Sequence, residues 1–244
     1  MNLLSIGNSF SQDAQRYLHQ IAKADGAVIN CFNLFIPGCP LCLHHQNMLN
    51  GKNAYTLEMN GESTGFFVSL KDALINREWD VITIQQVSDR APYYETYQPY
   101  LNEVIEYVRG LVPNAKIAIH QTWAYEQGSS RLNSELGYNS YKDMLSDVVS
   151  SYKKAAEDIN ADFIIPSGEV LGAMLENGIE KIHRDTFHAS LGLGRYALGL
   201  IWYKILTGND VLENPFCDFD EEVSAEQLVI AKKCVQEVAE KYKV

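Results

Sequence analysis

Leu3-Leu4-Ser5-Ile6-Gly7-Asn8-Ser9-Phe10-Ser11 opens the chain with a short apolar run that stops at a turn. Four residues are too few for a helix, and Gly-Asn-Ser ends them, so the run reads as a buried strand. Gln12 to Asp25 follows with Ala14, Leu18, Ile21 and Ala22 at helical spacing, and Gly26 stops it. The alternation continues down the chain. Strands are predicted at Val28–Ile36, Val81–Ile84, Ile117–Ile119 and Phe163–Ile165, and helices at Tyr100–Val112, Tyr141–Ile159, Glu169–Glu176, Leu191–Leu206 and Ala225–Tyr242. Strands separated by helices of ten or more residues imply βαβ units. The expected fold class is α/β, a three-layer α/β/α sandwich with a central parallel sheet of about five strands, in a single domain over residues 1–244.

Two kinds of segment interrupt this winding. Pro37 to Gly65 reads as long and irregular, with turn signals at Asn50-Gly51 and Asn60-Gly61. Ala91–Tyr100 and Trp123–Asn139 are loops rich in Tyr, Gln, Ser and Asn, each after a strand, on the sheet edge where ligands of open parallel sheets bind. A net charge of -11 over 244 residues repels phosphate backbones and anionic lipid, so neither nucleic acid nor a membrane is expected as a partner. Five cysteines, an odd number, read as reduced thiols and not as a disulfide framework. Met1 to Phe10 has no basic stretch leading into a long apolar one, so the chain is expected to be cytoplasmic, or exported with its leader already absent.

Ser9 lies between the first strand and the first helix, where its own N–H could stabilise an oxyanion; the same position suits a plain helix cap. Asp185 and His188 are three residues apart in His-Arg-Asp-Thr-Phe-His-Ala-Ser, residues 183–190. A turn there would set the carboxylate beside the imidazole and fix its tautomer.

Gly7-Asn8-Ser9-Phe10-Ser11 resembles the G-D-S-x-[ST] block of SGNH (GDSL-like) hydrolases, and Asp185-x-x-His188 resembles their C-terminal block. The combination is similar to a bacterial branch of unknown function within that superfamily. The resemblance implies a flavodoxin-like sandwich with Ser9 as nucleophile, His188 as base and Asp185 orienting it. It also implies oxyanion donors at the Ser9 and Gly38 N–H groups and at a third residue. Family members use an asparagine there, whereas this chain has Gln85-Gln86-Val87-Ser88, so Gln86 is the expected donor and Ser88 the alternative. Asn8 replaces the family aspartate. Gln121 and Trp123 end the fourth predicted strand and are candidate substrate-binding residues, with a buried amide and a packed aromatic as the plain reading.

The implied activity is ester hydrolysis through an acyl-enzyme on Ser9, with no cofactor and no metal. The substrate is expected to be a small-molecule or carbohydrate ester, first a sugar O-acetyl ester because the loops are polar and aromatic. Tyr93, Tyr94, Tyr97 and Tyr100 would suit sugar stacking in a carbohydrate-binding protein that has lost activity, with surface and rim packing as their plain reading. Retention of Ser9, Asp185 and His188 together argues against a dead site. Cys39-Pro-Leu-Cys42, followed by His44 and His45, is a further alternative as a zinc or thiol-redox site.

Overall fold

A computed structural model describes residues 1–242. The opening run forms β1 (Asn2–Gly7), whose Leu3, Leu4 and Ile6 are completely buried. Parallel to it lie β2 (Asn30–Phe35), β5 (Val81–Ile84), β6 (Lys116–Gln121) and β7 (Phe163–Pro166). These are the five strands anticipated from the apolar runs. The sheet nevertheless has seven strands and not about five, in the order β4-β3-β2-β1-β5-β6-β7.

The two extra strands, β3 (Tyr55–Met59) and β4 (Glu62–Val68), form an antiparallel hairpin outside β2, within the stretch expected to be irregular. Asn60-Gly61 is its two-residue loop, and both residues have positive φ, 52° and 86°, as a primed hairpin turn requires. The turn signal was therefore legible and the strands were not. β4 is an edge strand open to solvent on both faces, so it lacks the apolar run or clean alternation that marks a buried strand.

The helices are α1 (Ser9–Gln15), α2 (Leu18–Ala24), α3 (Leu41–Asn50), α4 (Leu70–Ile75), α5 (Tyr100–Leu111), α6 (Tyr141–Asp158), α7 (Ser167–Glu176), α8 (Leu193–Thr207) and α9 (Ala225–Ala239). The first predicted helix is thus two helices, broken at Arg16-Tyr17. α3 occupies part of the supposedly irregular segment and ends at Gly51, with φ +57°. α1 and α2 pack against α8, which packs against α7 and α9; α3 and α4 pack against α5. From β1 the chain winds outward through α1 and α2 to β2, and from β5 it winds the other way through α5 to β6. Right-handed crossovers in opposite directions put these helices on opposite faces. The strand order therefore reverses between β1 and β5, and the crevice at their carboxyl ends is where this architecture places a site.

Among the described residues, no helix is long and apolar enough to cross a membrane. Three histidines are buried in the body. Burial pushes His44 and His120 down to about 3 and His183 down to about 4, from an ordinary value of 6.5. Each stays neutral in the fold and takes up a proton on unfolding below pH 6.5. Folding free energy is therefore expected to fall by on the order of 1 kcal/mol per histidine for each pH unit below 6.5. Urea midpoints measured at pH 7.5, 6.5 and 5.5 check this. An unchanged midpoint between pH 6.5 and 5.5 would refute it.

Candidate active site

The turn after β1 is shaped by two side chains and one missing one. Asn8 caps α1: its Oδ1 accepts the Phe10 N–H at 3.0 Å, and its own N–H donates to Ser11 Oγ at 3.1 Å. Gly7 is required because a Cβ there would stand 2.1 Å from Ser11 Oγ and 2.8 Å from Ser11 Cβ. Gly7→Ala is expected to cost about 1–3 kcal/mol by overpacking, a fall of several degrees in melting temperature readable by calorimetry. Ser9 is then the first residue of α1, half-buried, and its N–H has no partner within the described residues.

Ser9 Oγ lies 2.8 Å from His188 Nε2, and His188 Nδ1 lies 2.8 Å from Asp185 Oδ2. Asp185 Oδ1 also accepts the His188 backbone N–H at 2.9 Å, which closes the Asp-x-x-His turn. Burial alone would push the Asp185 carboxyl up. The hydrogen bonds from the His188 ring and backbone, with the charges of His188 and Arg184, outweigh it and hold the group below its ordinary value. Asp185 is therefore an anion at neutral pH, placed to keep a proton on Nδ1 and leave Nε2 free to accept the Ser9 hydroxyl proton.

The loop bearing Asp185 and His188 is held from several sides. Thr186 sits at φ +75°, a conformation that a β-branched residue seldom adopts, and its carbonyl accepts the Glu126 N–H at 2.8 Å. The Phe187 ring packs against His188 at 3.9 Å between centroids, with the Arg131 guanidinium 4.1 Å from its own centroid. Trp123 stacks on Phe10 at 4.0 Å and donates its indole N–H to the Phe187 carbonyl at 2.7 Å. Asp13, fully buried one helical turn beyond Ser9, accepts from Arg184 Nη1, Arg195 Nε and the Ala189 N–H at 2.8 to 3.2 Å. It ties both ends of the His188 loop to the helix that starts with Ser9.

The remaining predicted site residues divide. Gly38 is exposed, has φ +58°, and is the third residue of the turn closed by Cys39 N–H to Ile36 carbonyl. Pro37 then Gly38 at the central positions is a type II signature, and the Gly38 N–H has no partner within the described residues. Gln86 differs from the expectation. Its Oε1 accepts the Leu41 and Val87 N–H groups, and its Nε2 donates to the Thr96 carbonyl and hydroxyl at 3.1 Å. Both amide hydrogens are engaged, so Gln86 joins α3 to the loop after β5 and has none left for an oxyanion. Ser88 is buried with its hydroxyl on Tyr125.

Gln121 is likewise turned to other partners. It is buried, its Nε2 donates to Glu169 and Tyr242, and its Oε1 accepts the Glu169 N–H. Trp123, 1% exposed, supports the His188 loop from beneath and presents no open face to a substrate. The tyrosines pack as well: Tyr97 is buried, Tyr94 stacks on it beneath Lys154, and Tyr93 donates to the Leu136 carbonyl. The side chains of the Cys39–His45 segment have separate partners. Cys42 accepts from Arg90, His44 lies on Tyr55 and His45 meets Glu103, while Cys39 is buried. Among the described residues, no three His, Cys, Asp or Glu converge to hold a metal.

Sequence reading missed Asp13, Gln85 and His120. A lone Asp four residues after the serine carries no mark of burial, and only its helical offset from Ser9 hinted at a shared face. A cavity of about 910 Å³ lies at the opposite end of the sheet, beside Met1, Val81, Lys116 and Phe163.

The profile of a domain of unknown function (DUF4886) matches residues 2–238. A DUF4886 family protein from Bacteroides uniformis ATCC 8492 shares 31% identity, covering 98% of this chain and 94% of its own, with a TM-score of 0.90. A candidate SGNH hydrolase from Slackia heliotrinireducens shares 22% identity over 84% of this chain and 97% of its own, with a TM-score of 0.59. A candidate GDSL-like lipase from Parabacteroides merdae ATCC 43184 shares 14% over 85% and 95%, with a TM-score of 0.57. No curated protein matches the chain. At such identities the last two bear on architecture, which is that of the SGNH hydrolases.

Proposed function

Because the chain belongs to the DUF4886 family, whose description assigns no activity, its chemistry has to be read from the site, and we propose a serine ester hydrolase acting through an acyl-enzyme on Ser9. The observation that carries this reading is the 2.8 Å Ser9 Oγ–His188 Nε2 contact, continued by the 2.8 Å His188 Nδ1–Asp185 Oδ2 contact. In this reading Ser9 Oγ attacks the acyl carbon as its proton passes to His188 Nε2. Asp185 stabilises the imidazolium, which then protonates the leaving alcohol. Water, deprotonated by His188, cleaves the acyl-enzyme and releases the acid. The Ser9 and Gly38 N–H groups are the proposed oxyanion donors. No step needs a cofactor.

For the substrate we favour a short acyl group, acetyl first, on a carbohydrate or similarly polar alcohol. What supports this is the surrounding surface: Gly38, Asp89 and Arg90 are exposed on the loops after β2 and β5, and the apolar side chains nearest His188 are already packed against it. A second reading, a carbohydrate-binding protein of weak or no activity, is favoured by one observation. Gln86 and Ser88 are both engaged elsewhere, and a missing oxyanion donor typically costs ~10²–10³ in kcat.

Labelling by a fluorophosphonate probe tests the nucleophile. The folded protein is expected to label and Ser9→Ala to remain unlabelled; equal labelling of the two refutes the assignment. Release of acetate from acetylated sugars, measured against long-chain esters, separates the substrate classes. Sugar binding with no turnover of any ester would favour the second reading.

A further inference from the structure

A continuous line of side chains crosses the sheet beneath the site. His120 Nδ1 lies 2.5 Å from Gln85 Oε1, Gln85 Nε2 lies 2.9 Å from Asn8 Oδ1, and Asn8 Nδ2 lies 3.2 Å from the Cys39 carbonyl. The residues stand at the ends of β6, β5 and β1 and in the turn after β2, four neighbouring parallel strands. All of them are buried.

The backbone sets the polarity of this chain at one end. Phe10 N–H can only donate, and it donates to Asn8 Oδ1; the Cys39 carbonyl can only accept, and it accepts from Asn8 Nδ2. Flipping the Asn8 amide would set donor against donor and acceptor against acceptor. Asn8 therefore presents oxygen to Gln85, Gln85 must answer with its NH₂, and its oxygen is left for His120. His120 must then carry a proton on Nδ1, and its complete burial keeps the ring neutral. Its Nε2, which has no hydrogen-bond partner among the described residues, is accordingly a bare acceptor and not a stranded donor. Its burial between Trp123 and Trp202 keeps the ring uncharged.

We propose that His120 and Gln85 are positioning residues: through Asn8 they hold the Ser9 turn to the Gly38-Cys39 turn and so set the spacing of the two backbone oxyanion donors. The catalytic half of this inference rests on the ester-hydrolase reading. Asn8 is the link. Among the described residues it is the one side chain bonded both to the nucleophile turn and to the Gly38-Cys39 turn. An aspartate at position 8 would still accept from Phe10 N–H and from Gln85. Its second oxygen would face the Cys39 carbonyl, acceptor against acceptor, and push the two turns apart. The asparagine in Gly7-Asn8-Ser9, Gln85 after β5 and His120 in β6 are in this view one coupled set.

The tautomer is read directly from long-range ¹H–¹⁵N spectra of the ¹⁵N-histidine protein, with His120 assigned by its loss in His120→Gln. The proton is expected on Nδ1, and a proton on Nε2 overturns the relay whatever the protein's activity. Asn8→Asp and Gln85→Met are then compared with wild type on p-nitrophenyl acetate. Each is expected to lower kcat about 10–100-fold with KM changed less than about threefold, since donor spacing matters when the oxyanion forms. Wild-type kcat in Asn8→Asp, with its fold retained, overturns the positioning role. A wild-type protein that neither labels at Ser9 nor turns over the ester sinks the hydrolase reading, and the oxyanion role with it. The tautomer still decides the relay.

Discussion

Ser9→Ala is expected to reduce kcat on an activated acetyl ester by about 10⁴–10⁶-fold while leaving the melting temperature within about 3 °C of wild type. The size follows from the roles in the proposed mechanism. Without Oγ there is no acyl-enzyme, and His188 can at best assist direct attack by water, so about 5–8 kcal/mol of transition-state stabilisation is lost. The small effect on stability follows from the local structure. Asn8 provides the helix cap, and the only bond that Ser9 Oγ makes among the described residues is the one to His188. A helix-cap serine would behave in the opposite way, with melting affected and turnover unchanged. Kinetics and calorimetry on the same preparation distinguish the two. Residual activity within tenfold of wild type would remove Ser9 from the mechanism.

Asp13→Ala is expected to destabilise the fold by about 3–5 kcal/mol, which is a drop of roughly 6–20 °C in melting temperature at this chain length. Asp13 is completely buried, and it is the shared anion of Arg184 and Arg195, whose side chains are 24% and 13% exposed. Truncation leaves Arg184 without a counter-charge, Arg195 with Asp220 as its remaining one, and the Ala189 N–H without its acceptor. The effect should reach the chemistry as well. Arg184 immediately precedes Asp185 and Ala189 immediately follows His188, so release of both ends loosens the 2.8 Å contact with Ser9. A displacement of about 1 Å is enough to cost ~10² in rate. Below its melting temperature the variant is therefore expected to label more slowly with a fluorophosphonate as well as to melt early. Asp13→Asn, which keeps the shape and one acceptor oxygen, should lie between the two. Melting within about 2 °C of wild type in Asp13→Ala would show that the ion cluster contributes little.

Much of the fold was legible because it is encoded locally. The apolar runs at Leu3–Ile6 and Val81–Ile84 lie in strands buried on both faces, which are predominantly apolar, and Phe163–Ile165 lies in the edge strand β7, whose Ile165 is buried. Asp185 and His188 were legible for the same reason: a three-residue spacing closes within one turn, whatever the rest of the chain does. The hairpin of β3 and β4 was not, because an edge strand open to solvent carries almost no hydrophobic pattern. α1 begins at Ser9, three residues before its apolar periodicity shows, because the Asn8 cap and not periodicity sets its start.

Side-chain hydrogen bonding is where the sequence fell silent. Gln86 was expected to serve an oxyanion and Gln121 a substrate, and an amide has the right chemistry for either. Which partner an amide meets depends on neighbours distant in sequence: Thr96 and Leu41 for Gln86, Glu169 and Tyr242 for Gln121. Asn8 and Gln85 are 77 residues apart, and Asp13 and Arg184 are 171 apart. The sequence by itself determined the strand–turn–helix unit that presents Ser9 and the turn that joins Asp185 to His188, because each is settled by interactions within a few residues. Only the tertiary structure decided that Ser9 and His188 meet, that Asp13 anchors both halves, and that the Gly38 turn is wired to the Ser9 turn. Those contacts exist because parallel pairing brings the carboxyl ends of β2, β1, β5 and β6 together, about 4.8 Å apart from strand to strand, and no local pattern records which side chains will face one another there.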